Sequence, residues 1–111
     1  MSLGNRDRMR FYTVITTEFA LSDLKVAQNF YEKQAPGLGG YFFDALIADI
    51  ESLHLYAGIH AKEFRYFKML SKRFPYSIYY DIIEDTTARV IAVLDQRNNP
   101  VSNYTQLAVR S

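Results

Sequence analysis

The spacing of apolar positions changes period twice along the chain, first from strand-like to helical and then back. Residues 10–17, RFYTVITT, are β-branched and aromatic, and they alternate as Phe11, Thr13 and Ile15 against Tyr12, Val14 and Thr16. A period of two in such residues predicts a strand. In EFALSDLKVAQNFYEKQ the spacing lengthens: Ala20, Leu24, Ala27 and Tyr31 recur at helical intervals, with Phe30 beside them and charges opposite. Thr17 or Ser22 caps its start. It ends near Gln34, because Pro36 disfavours α geometry at Ala35 and Gly37 follows.

A second helix is predicted from about residue 40 to 57, on the order of 27 Å long. Leu38, Phe42, Leu46, Ile50 and Leu53 form its apolar stripe, and Asp44, Asp49 and Glu51 lie largely off it, as a solvated face. The short connection makes the helices an antiparallel hairpin. GLGG at 37–40 follows a helix rather than a strand and has no phosphate-loop lysine, so it reads as a tight interhelical turn.

After Gly58 the period returns to two. KEFRYFKMLSKR (62–73), YSIYYDII (76–83) and ARVIAVLDQR (88–97) read as three strands, the last two joined by a short polar turn at 84–87. The expected fold is α+β in the order β-α-α-β-β-β, a helical hairpin on one face of a twisted, mainly antiparallel four-stranded sheet. Tyr76, Ile78, Tyr80 and Ile82 would face the hairpin, leaving Ser77, Tyr79 and Asp81 on the other side, with Tyr79 exposed or at an edge. The tail NNPVSNYTQLAVRS is either a short helix or an extended arm.

Composition narrows the chemistry. The 111 residues suit one domain, taken as residues 10–111, after an N-terminal extension of residues 1–9 whose MSL opening resembles a vector-derived scar. With no cysteine there are no disulfides or thiolate metal sites. No apolar run nears the ~18 residues of a membrane span. The N-terminus lacks the apolar centre of a signal peptide, so a cytoplasmic protein is expected. Residues 62–73 carry five cations (Lys62, Arg65, Lys68, Lys72 and Arg73) against Glu63, a local charge of +4 in a chain of net charge +1. That strip implies an anionic partner at one face.

His54 and His60 are six apart with no further ligand, which does not make a metal site, and no cofactor is expected. Ser71 and Ser77 have no activating neighbours in sequence. Basic and aromatic residues remain. On strand 62–73, Arg65, Phe67, Met69, Ser71 and Arg73 share one face, and Phe64, Tyr66, Lys68, Leu70 and Lys72 the other. Arg97 ends the last strand and Tyr104 follows in the tail. An arginine–lysine–tyrosine set cleaves RNA without metal when cations hold the phosphate and a base activates the 2′-hydroxyl. The alternative for each residue is a solubilising surface charge.

Three landmarks then stand in order: Tyr31 with the Pro-Gly-Leu-Gly turn to Gly39, Phe-Pro-Tyr-Ser-Ile-Tyr-Tyr at 74–80, and a strand closing on Arg97-Asn98-Asn99-Pro100. Over residues 10–104 the chain resembles the RelE/ParE toxin superfamily, in particular plasmid stabilisation toxins of type II toxin–antitoxin systems. The resemblance implies a toxin neutralised by a cognate antitoxin, either poisoning DNA gyrase or cutting mRNA on the ribosome. Against the nuclease pattern, Lys68 and Arg97 match and Tyr104 stands in for the tail tyrosine. Leu70 and Ser77 replace a lysine and an arginine, and losing that arginine costs ~3 kcal/mol by analogy with oxyanion donors. The tail also departs from the plasmid-stabilisation pattern, with Asn98, Asn99 and no tryptophan.

The expectation is therefore a ParE-like toxin binding its partner through Arg65, Lys72, Tyr79 and Arg97. The alternative is a metal-independent mRNA endonuclease using Lys68, Arg73, Arg97 and Tyr104. A further alternative is a non-toxic binding domain on the same scaffold.

Overall fold

The computed structural model describes residues 11–111, so the expected extension at 1–9 lies outside the described residues. The chain runs β1 (Thr13–Thr16), α1 (Glu18–Gln34), α2 (Leu38–Glu51), a single helical turn α3 (Leu53–Tyr56), β2 (Lys62–Glu63), β3 (Tyr66–Leu70), β4 (Tyr76–Ile83), β5 (Thr87–Asp95) and α4 (Pro100–Arg110). The fold class is α+β. No helix among the described residues is long and apolar enough to cross a membrane.

Of the two possible caps for α1, Thr17 is the one used: its Oγ1 accepts from the Ala20 amide at 3.3 Å. The GLGG turn that follows is locked by a carboxylate. Glu32 accepts from the amides of Gly37 (3.0 Å) and Gly39 (2.9 Å). Gly37 takes φ +87°, and a Cβ on Gly39 would lie 2.6 Å from the Gln28 carbonyl oxygen. Glycine is needed at the first position for its backbone and at the second for the close approach of the helices.

The sheet has five strands rather than the four expected, in the order β1-β5-β4-β3-β2, and it is mixed: β1 runs parallel to β5 and the other pairings are antiparallel. The extra strand arises because residues 62–73 do not run straight. Phe64 and Arg65 both adopt positive φ (53° and 66°) and fold the segment into a β2–β3 hairpin. Neither is a usual residue for such a turn.

Each face of the sheet carries its own apolar cluster. On the first face α1 and α2 pack Leu24, Tyr31, Phe42, Leu46 and Ile50 against Met69, Tyr76, Ile78, Tyr80, Val90 and Val93. On the second face α4 brings Leu107 and Tyr104 onto Tyr66, Tyr79, Ile91, Ala92 and Leu94. The tail is thus a helix, started by Asn99, whose side chain accepts from the Val101 amide, with Pro100 in the first turn. β5 serves both clusters by alternation, and a register slip puts two successive residues, Ile91 and Ala92, on the α4 face: Tyr79 pairs with Ala92 and Tyr80 with Val90, so Ile91 is extra.

Tyr79 is not exposed or at an edge. It is 2% exposed, on a strand between two others and roofed by α4. Asp49 is not solvated either: it is buried and accepts from Ser71 Oγ at 2.7 Å and the Lys72 amide at 3.3 Å, tying the end of β3 to α2.

β1 pairs only with Thr87–Val90 of β5, which leaves the rest of that strand's edge open. Side chains close it. Val93 donates its amide to Asp23 (2.9 Å), the Ile91 carbonyl accepts from Arg110 (3.2 Å), and the Asp95 carbonyl accepts from Asn103 (3.1 Å). Asp23 and Arg110 are themselves a two-point ion pair at 2.6 and 2.9 Å, bridging α1 to the last turn of α4.

Candidate functional site

The β2–β3 turn decides which side chains meet. By folding back after Glu63 it places that carboxylate beside Lys68 on the second face of the sheet. Lys68 Nζ reaches Glu63 Oε1 at 2.7 Å, and Tyr104 on α4 donates its hydroxyl to Glu63 Oε2 at 2.5 Å. Phe64, at the turn, stacks on Tyr104 with ring centroids 5.4 Å apart. Lys68 lies 5.9 Å from the centre of the Tyr79 ring. Glu63, Lys68, Tyr79 and Tyr104, with Leu70, Ser77, Gln96, Asn98, Pro100 and Asn103, line a pocket of about 290 Å³.

The electrostatics follow from the shared carboxylate. Glu63 is held below its ordinary value by the Lys68 hydrogen bond first and the Tyr104 hydrogen bond second. Lys68 is raised by the same bond to Glu63. Tyr104 is raised because its hydroxyl donates to the Glu63 carboxylate, and Tyr79 is raised mainly by burial. At neutral pH this is a lysine ammonium, a carboxylate and two protonated phenols. The Lys68 charge is spent on Glu63, so Lys68 is not a free phosphate anchor.

The remaining candidate residues sit elsewhere. Arg97 folds back on Asp95 with bidentate bonds of 2.9 and 2.7 Å and approaches Tyr31 Oη at 3.5 Å, on the hairpin face. That pair lowers Asp95 and raises Arg97, and burial pushes nearby Tyr76 up to about 12. Arg73 donates to Tyr41 Oη at 2.9 Å, also on the hairpin side. Lys68 and Tyr104 therefore come together, while Arg73 and Arg97 lie across the sheet from them. Among the candidate partner contacts, Arg65 lines a shallow cavity with Phe64, Ala108 and Ser111, and Lys72 is exposed beyond β3. Tyr79 is buried and offers a partner little surface.

Both histidines are engaged structurally. His54 Nδ1 lies 2.7 Å from the Tyr12 carbonyl, and His60 Nδ1 lies 2.6 Å from Tyr80 Oη. No group of three or more histidine and carboxylate residues that could hold a metal occurs among the described residues.

Glu63, Gln96 and Asn103 are site residues that the sequence reading passed over. Glu63 and Lys68 meet only across a turn built without glycine or asparagine, and nothing in the sequence marks it. Asn103 is adjacent to Tyr104, a signal that becomes usable once the tail is known to be helical. Comparisons of the chain with protein-family models, with curated proteins and with solved structures find no match.

Proposed function

We propose that this chain is the toxin component of a type II toxin–antitoxin module, a ParE-like domain neutralised by a cognate antitoxin and acting on a protein target such as DNA gyrase. The observation that carries the reading is the disposition of the cations. Lys68 and Arg97 face opposite sides of the sheet and each is neutralised by the domain's own carboxylate, Glu63 or Asp95. Metal-free phosphodiester cleavage needs converging cations aimed where charge develops. Protein docking needs accessible apolar surface, and α1 supplies it: Val26 is 68% and Phe30 49% exposed, and both line a groove beside the open half of β5.

Induced expression with counts of surviving cells, followed by supercoiling assays on purified gyrase, tests the proposal. Growth arrest with inhibited supercoiling is expected. Arrest with gyrase unaffected and ribosome-bound message cut would overturn it. Undiminished growth would leave a binding domain without toxicity.

A second reading, a RelE-like ribosome-dependent mRNA endonuclease, draws on one observation: Lys68 and Tyr104 converge on Glu63, which pairs an acid–base couple with a cation. Arg73 and Arg97 take no part in that group. Under this reading Tyr104→Phe and Lys68→Met abolish cleavage and Arg97→Ala does not. Equal activity in all three variants would dispose of it.

A further inference from the structure

We propose that His60 is a proton-operated latch. Neutral, it fastens residues 57–61, the segment joining α3 to β2, to the sheet through Tyr80; charged, it releases them. This goes beyond the docking role and is independent of it. Tyr80 on β4 is fully buried, and its hydroxyl meets two groups of that segment, the Gly58 amide at 2.8 Å and His60 Nδ1 at 2.6 Å. An amide N–H only donates, so the phenol oxygen accepts from Gly58. The phenol proton then needs an acceptor of its own, and among the described residues His60 Nδ1 is the one in reach. Nδ1 is therefore the bare nitrogen of the ring, and the proton sits on Nε2.

Burial raises the Tyr80 phenol, which keeps its proton at neutral pH, while the amides of Gly58 and His60 act on the oxygen in the opposite sense. With two N–H groups turned toward it, that oxygen has no lone pair left for a third. An imidazolium carries N–H on both nitrogens. Charging His60 sets an N–H against a filled oxygen and leaves the phenol proton buried without an acceptor, a costly state. The other of the two histidines is wired the opposite way. His54 Nδ1 lies against the Tyr12 carbonyl, which only accepts, so Nδ1 carries the proton there and the contact survives charging.

The surroundings leave this contact to decide. His60 borders a cavity of about 300 Å³ whose wall carries Asp49 from α2, Tyr56 from α3 and Lys72 beyond β3. Asp49 and Lys72 are opposite in sign and offset each other at His60. Lys62 on β2 lies over the Phe67 ring that stacks on Tyr80, and Tyr12 is a further phenol acting on Tyr80. Burial pushes His60 below its ordinary 6.5. The stabilisation is fully present above 6.5 and is lost as pH falls through the lowered value. That window opens while Glu63 and Asp95, both held below their ordinary values, are still ionised. Histidine is the side chain suited to such a trigger. Release frees the segment beside the cavity, whose wall also includes Met69.

Long-range proton–nitrogen NMR on the full chain at about pH 7.5 reads which ring nitrogen is protonated, and Nε2 in His60 with Nδ1 in His54 is expected. Hydrogen exchange at the Gly58 amide, corrected for its intrinsic rate, should lose protection between about pH 6.5 and 5, by up to about tenfold per pH unit. His60→Gln, which cannot charge, should remove that step, and His54→Gln should leave it in place. The tautomer and the exchange profile use the unaltered chain, so they decide even where His60→Gln fails to fold. A proton on His60 Nδ1, Gly58 protection that is flat over this range, or a step that persists in His60→Gln or vanishes in His54→Gln would overturn the proposal.

Discussion

The two faces of the sheet are stabilised in different ways. Under the hairpin lies a deep aromatic and aliphatic cluster in which Tyr31, Phe42, Phe74 and Tyr76 meet edge-on or stacked, with centroids 4.9–6.3 Å apart. Under α4 the apolar cluster is smaller, and polar attachments do much of the holding: Tyr104 on Glu63, Asn103 on Asp95, Arg110 on Asp23, and Tyr66 on Ser111 at 3.0 Å. Burial of apolar area is non-directional and large, whereas hydrogen bonds and ion pairs contribute less net but fix geometry. The hairpin face therefore supplies stability, and the α4 face supplies a positioned polar pocket.

Substitutions that separate the faces should rank accordingly. Phe42→Ala, at a fully buried ring in the hairpin cluster, is expected to cost about 3–5 kcal/mol, read by chemical denaturation as loss of the whole fold. If α4 melted first in that variant, the division proposed between the faces would be wrong. Arg110→Met comes next. It strands Asp23, whose side chain is only 14% exposed, and leaves the Ile91 carbonyl unmatched. Because the site is not sealed from water, about 2 kcal/mol is expected, below the 3–5 of a fully buried pair. Hydrogen exchange should accelerate in α4 and the open half of β5 while α1 and α2 keep their protection.

Acid should reach the α4 face through Glu63 and the far end of β5 through Asp95. Both carboxylates sit below their ordinary values of 4.5 and 3.8, for Glu63 mainly through Lys68 and for Asp95 mainly through Arg97. Their contribution is fully present above those ordinary values. It is lost as pH falls through the depressed folded values. A pH titration of Phe64 and Tyr104 ring signals should show that contact loosening below about 4.5, and Glu63→Gln should remove that part of the profile. The smallest effect is expected at the turn: Arg65→Gly relieves a positive φ and should stabilise by up to about 1 kcal/mol. A melting temperature that falls would contradict this.

How much of this was readable in advance tracks the same division. The hairpin face is written in local periodicity: the stripe from Leu38 to Leu53 and the alternation through Tyr76, Ile78 and Tyr80 each point to a buried face without knowledge of anything distant. The α4 face depends on contacts far apart in the chain. Tyr79 reads as a leftover aromatic until the tail is placed over it; Asn99-Pro100 marks a helix start, but nothing local says that this helix roofs the sheet. The fifth strand was hidden because Phe64 and Arg65 accept strained backbone angles that turn residues normally advertise. Asp49 was assigned to solvent because its partners, Ser71 and Lys72, are more than twenty residues away.

The surplus residue at Ile91 has a consequence for what the chain tolerates in length. Removing a single amino acid there would restore strict alternation and still leave Val93 toward the hairpin and Leu94 toward the tail helix. The same deletion in a regularly alternating stretch of the strand would turn everything beyond it inside out.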